Sequence, residues 1–127
     1  MKKISYLILA LSTLCLTNCG SSVKTLGRLL KIKASDVINI EIERNHENYE
    51  VDLEKKDIFL ESFLKVKVDT SKQCKCMGPT YVTLYTENDT YEINEFHTDT
   101  NSGSYHYELT KDSGFSSIVN RYINNAL

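Results

Sequence analysis

The residues best suited to chemistry are two cysteines and two histidines: Cys74 and Cys76, separated only by Lys75, with His97 and His106 further along. In an extended segment residues i and i+2 point to the same side, so the two thiols can meet one metal ion or each other. Together with His97 and His106 they would supply the four nitrogen and sulfur ligands of a tetrahedral zinc site. The spacing matches no zinc-binding pattern, because twenty residues separate Cys76 from His97. A disulfide across Lys75 is the expected state of the pair, ahead of the metal site and of two reduced thiols. Closing so small a ring bends the backbone away from its relaxed extended form, which raises the reduction potential. A loop of about three residues also removes little unfolded-state entropy, so the bond would be labile rather than structural. Lys75 should lower a neighbouring thiol's pKa and favour the thiolate. Either histidine could serve a cysteine nucleophile as base, although histidines in a tyrosine-rich β region are usually ordinary surface or half-buried residues.

Other catalytic patterns are missing. The five glycines are scattered, with no phosphate-cradling loop and no Gly-x-Ser-x-Gly elbow. Glu41, Glu43, Glu50 and Asp52 alternate with apolar residues on neighbouring β-like runs and read as a solvated acidic patch. No carboxylate pair sits in apolar surroundings, as an acid/base glycosidase site would need. The formal charge is −2 for the whole chain. Lys24, Arg28, Lys31 and Lys33 precede the first acid, Asp36, so the remainder is strongly acidic and ill-suited to nucleic acid.

The cysteine count narrows when the N-terminus is considered. Lys2 and Lys3 precede an apolar run over residues 4–16, the length of a secretory core rather than a spanning helix. The run ends in Leu16-Thr17-Asn18-Cys19, which resembles the lipobox of bacterial lipoproteins, with Asn18 where Gly, Ala or Ser is usual. The resemblance covers only the leader. It implies cleavage before Cys19, a diacylated Cys19 as first residue of the mature chain, and attachment to a cell-envelope membrane. Gly20 stands where an inner-membrane retention aspartate would be, which leans the anchor toward an outer membrane. Cys15 leaves with the leader, so Cys74 and Cys76 are the only remaining thiols of an exported domain.

The elements that must position these residues follow from periodicity. Residues 1–18 form the leader, 19–35 the lipid anchor and basic tether, and 36–127 one domain. Within residues 23–33, Lys24, Arg28 and Lys31 share one side of a helical wheel and Leu26, Leu29 and Leu30 the other, while Gly27 weakens the helix and Lys33 strays to the apolar side. The segment is expected on an anionic membrane surface, or as an irregular tether whose leucines dock on the domain. Ile38, Ile40 and Ile42, then Tyr49, Val51 and Leu53, alternate as a hairpin. Residues 54–65 place Ile58, Phe59, Ser62, Phe63 and Val66 on one helical stripe. A short strand is expected over 66–69, then an irregular stretch to Pro79. Residues 80–86 and 90–96 form a second hairpin about Asn88-Asp89, which would oppose Leu84 to Ile93, Tyr85 to Glu92 and Tyr81 to Phe96. Residues 97–103 read as a polar loop and 104–109 as a strand. The last helix carries Phe115, Ile118, Val119, Tyr122 and Ile123 on one face, with Asp112 as N-cap.

The sum is an α+β domain: an antiparallel sheet of about five strands with two helices on one face. Tyr81, Tyr85 and Phe96 form an open aromatic side suited to a protein or peptide partner, since such surfaces give contact area at small entropic cost. A membrane-anchored, non-enzymatic binding domain is therefore expected, with no cofactor unless zinc; a metal- or redox-responsive protein centred on Cys74 and Cys76 is the alternative. Replacing Cys19→Ser should shift the protein from the membrane to the soluble fraction, read by fractionation and immunoblot; a variant still membrane-bound after leader cleavage would contradict lipidation.

Overall fold

In a computed structural model the protein is described for residues 22–73, 76–99 and 106–124. Eight strands, all paired antiparallel, form one sheet: β1 (Val23–Thr25), β2 (Val37–Arg44), β3 (Glu47–Glu50), β4 (Lys67–Gln73), β5 (Thr80–Thr86), β6 (Thr90–Asn94), β7 (His97–Asp99) and β8 (His106–Leu109). Their order is β1-β4-β8-β7-β6-β5-β2-β3. Among the described residues three helices accompany them, α1 (Leu26–Leu30), α2 (Leu53–Phe63) and α3 (Phe115–Ile123), plus a 3-10 turn at Ala34–Asp36. The α+β class and the antiparallel sheet are as expected, but the described residues form eight strands rather than about five, and three helices rather than two. The extra strands β1 and β7 have three residues each, too few to set up an alternation visible in sequence.

One face of the sheet is apolar. Ile40 and Ile42 stand opposite Leu84 and Val82, which stand opposite Tyr91 and Ile93, and Val68 stands opposite Leu109. All these side chains are buried in a single cluster that also holds Leu26, Phe59, Phe63, Phe115, Val119 and Tyr122 from the helices. The alternation from Ile38 fails at its first member. A bulge between Val37 and Asn39 turns Val37 inward and leaves Ile38 57% exposed. Leu53 and Ile58 are also exposed, because α2 buries the 59, 60 and 63 positions instead.

An aromatic seam joins the two longer helices: ring centroids lie 5.1 Å apart for Phe59–Phe63, 5.6 Å for Phe63–Phe115 and 5.9 Å for Phe59–Tyr122. The Tyr122 hydroxyl donates to the Glu50 carbonyl at 3.0 Å and accepts from the Asp52 amide at 3.2 Å. That second bond supplies a partner at the start of α2, where the Asp52 side chain makes no capping bond. The α3 N-cap is Gly114 rather than Asp112: its φ of +87° suits glycine, and Asp112 lies in the preceding turn.

The N-terminal segment is built into the domain. Val23, Lys24 and Thr25 pair with Asp69, Val68 and Lys67, and only five residues then coil. The amides of Leu26 and Gly27 donate to the carbonyls of Val66 and Leu64 at 2.8 and 2.9 Å. A Cβ on Gly27 would come within 3.3 Å of the Leu64 Cβ, so the glycine that weakens the helix pattern serves this close approach. Lys31, at φ 57°, ends the helix.

The hairpin turn between β2 and β3 is two residues, Asn45 and His46, with φ of 51° and 69°, the type I′ geometry that fits strand twist. Tyr122→Phe removes one hydroxyl yet leaves two backbone groups without their partner, so urea unfolding should show a loss of about 1–3 kcal/mol with m unchanged. A midpoint equal to the parent's would mean the hydroxyl bridge contributes nothing.

Candidate functional site

The sheet face away from the helices carries two of the three aromatic residues singled out from sequence, Tyr81 and Tyr85. Tyr81, Thr83 and Tyr85 on β5 are half-buried, flanked by exposed Glu43 and Glu41 on β2 and exposed Glu92 on β6. The Tyr85 hydroxyl donates to Glu41 Oε2 at 2.8 Å, and this bond to a carboxylate holds the phenol's pKa above its ordinary value. The register differs from the expected one. Thr86 and Asp89 close the turn through three hydrogen bonds of 2.9–3.1 Å, so Glu87 and Asn88 are its central residues and every pair shifts by two. Leu84 therefore faces Tyr91, Tyr85 faces Thr90, and Tyr81 faces Asn94 instead of Phe96. A shift of two preserves which face each side chain takes, so the core members stand as expected while the trio does not: Phe96 lies in the bend between β6 and β7, and Tyr85 is four residues, or about 13 Å of strand rise, from Tyr81.

Asn94 organises the end of the face that holds Tyr81. Its side chain is buried and makes four hydrogen bonds: Oδ1 accepts from the amides of Gly78 and Phe96 at 3.2 and 3.0 Å, and Nδ2 donates to the carbonyls of Gly78 and Thr80 at 3.1 and 3.2 Å. One amide thus fixes both the 76–80 segment and the bend at residues 95–96. Met77 and Phe96, one in each of these segments, are 74% and 47% exposed. Nothing in sequence marks Asn94, since an outward asparagine on a strand reads as a solvated residue; only the segment lying over it reveals its bonding.

His97 is buried beneath the same segment, and its Nδ1 donates to the Cys76 carbonyl at 2.7 Å, which takes that nitrogen out of metal ligation. Cys76 is exposed and opens the described 76–79 segment. Cys74 and the His106 side chain lie outside the described residues, as does Cys19, although His106 opens β8. Among the described residues no group of three or more His, Cys, Asp and Glu side chains is arranged to hold a metal.

Lys24, Arg28, Lys31 and Lys33 are all exposed, whereas Leu26, Leu30 and Ile32 are buried in the core. The segment therefore cannot bury an apolar face in lipid, and any attraction to an anionic surface falls to the cations. No described helix is long and apolar enough to cross a membrane.

The isosteric change Asn94→Asp replaces two donated bonds by carboxylate facing carbonyl. It should destabilise the domain by roughly 2–4 kcal/mol at pH 8 and less at pH 4, where a protonated carboxyl can donate again; equal losses at both pH values would contradict this account of the side chain. No protein family, no curated protein and no solved structure matches this chain.

Proposed function

We propose that the chain is a lipid-anchored protein of the bacterial cell envelope, held through Cys19, whose non-enzymatic domain binds a protein or peptide partner on the face of Tyr81, Phe96 and Met77. The observation that carries this reading is the paired use of Asn94 to hold two segments that each put a large apolar side chain into solvent. A rigid backbone presenting exposed aromatic and thioether groups beside tyrosines is economical as a binding surface, because little entropy is lost when a partner covers it. Glu41, Glu43 and Glu92 rim the face and favour a partner without an acidic contact surface. Lys24, Arg28, Lys31 and Lys33 would add electrostatic attraction to anionic lipid beside the acyl chains, each worth about 1 kcal/mol before screening.

A second reading, a redox-responsive protein, draws on Cys76, whose carbonyl is fixed on His97 at the root of the same segment. In it, reduction of a Cys74–Cys76 bond would loosen the 76–79 segment and change what the face presents.

One experiment separates the two. A photo-crosslinking phenylalanine analogue at position 96 in living cells should give a discrete adduct, and the analogue at the exposed helix position 58 should not. An adduct that survives thiol reduction supports the binding face alone, one that disappears supports the redox reading, and no adduct at position 96 sinks both.

A further inference from the structure

We infer that the chain has a second binding surface, an acidic groove with an apolar floor between β2 and the start of α2, and that its occupant is a cationic peptide segment with an apolar anchor residue, supplied by another protein. The inference rests on reading the domain as partner-binding, but locates this partner away from the aromatic face. The groove, about 690 Å³, is lined by Ile38 and Leu53, which are 57% and 74% exposed, and by Glu50, Asp52 and Glu54. Residues of these types mark a surface that holds both hydrophobic and positively charged groups.

The backbone explains why the groove exists. Pairing of β2 with β3 ends at Glu41 and Glu50, and the chain then turns away into α2, so residues 37–39 of β2 pair only with β5. The bulge at this point turns Ile38 outward, and α2 leaves Leu53 outside its buried stripe. Ile38 also lines an adjoining groove of about 440 Å³ bordered by Asp36, Glu87 and Asp89. No lysine or arginine lines either groove, and within the larger one the three carboxylates have no cation among their lining neighbours. Asp36 is partly committed, since it accepts from the Lys33 amide at 2.8 Å. The larger groove therefore carries the argument. Its charge selects a basic occupant over an acidic one, and its exposed Leu53 and Ile38 select one that also brings an apolar side chain.

The test uses the full chain and a fluorescent twelve-residue peptide of lysine and leucine, with a lysine–serine peptide of equal charge as control. Saturable binding to the lysine–leucine peptide should weaken about tenfold or more when Glu50→Gln, Asp52→Asn and Glu54→Gln are combined, because three exposed charge contacts are lost together. Leu53→Ser should weaken it several-fold, and raising salt from about 50 to about 500 mM should weaken it in the parent. All four positions are exposed and the Asp52 side chain makes no capping bond, so these variants keep the fold. Equal affinity of the parent and the triple variant would overturn the proposal. So would equal binding of the lysine–serine peptide, which would reduce the groove to bulk charge. Salt-sensitive self-association in place of peptide binding would make a second copy the occupant, also against it. Loss of binding in Tyr81→Ala with Phe96→Ala, but not in the triple variant, would move the peptide to the aromatic face, overturning this site while leaving the partner-binding reading intact.

Discussion

The aromatic seam of Phe59, Phe63, Phe115 and Tyr122 holds α2 and α3 to each other, and through them to one face of the sheet. Two helices brought together in this way cannot cover both faces of an eight-stranded sheet. The opposite face is consequently left to short polar and half-buried aromatic side chains, a common solution for antiparallel sheets, in which one face packs and the other meets water. The proposed aromatic binding face depends on that one-sidedness. Were α3 to pack elsewhere, its stripe of Phe115, Ile118, Val119 and Tyr122 would need another apolar surface, and the described part of the sheet offers none.

On the uncovered face, two kinds of order are imposed. Along β2, β5 and β6 the strand register alone sets the side chains out in rows, with Glu41 and Tyr85 linked by a hydrogen bond. At the other end a single buried asparagine replaces register. Asn94 satisfies all its bonding capacity on backbone, so the 76–80 segment and the bend before His97 share one fixed point. Buried amides bound in this manner are costly to disturb and specify one conformation, which is why the exposed Met77 and Phe96 count as presented rather than merely uncovered.

Much of this was legible in the sequence where a pattern was long. The five apolar positions of α3 are spaced as a helix demands, and the β5–β6 hairpin alternates strictly enough to assign its buried face. What could not be read lies where geometry is set by one or two residues. The four-residue turn at Thr86–Asp89 moves the register by two without altering alternation, so Tyr81 meets Asn94 rather than Phe96. The bulge at Ile38 inverts one side chain inside an apparently regular run. Leu26 and Leu30 fit an amphipathic membrane helix and a docked segment equally well, and only the bonds from Leu26 and Gly27 to Val66 and Leu64 decide for the second. The aromatic face was thus visible in composition and misjudged in layout, while Asn94 left no sequence signal and the Ile38–Leu53 groove only its acids Glu50 and Asp52.

Oxidative footprinting of the chain in intact envelopes and in the purified state tests the central claim most directly, because it reports side-chain cover residue by residue. The account predicts that Tyr81, Phe96 and Met77 react readily in the purified protein and are several-fold protected in the envelope, while exposed Ile58 on α2 reacts alike in both. Equal reactivity of the three residues in the two states would contradict it, since no partner would then cover the face.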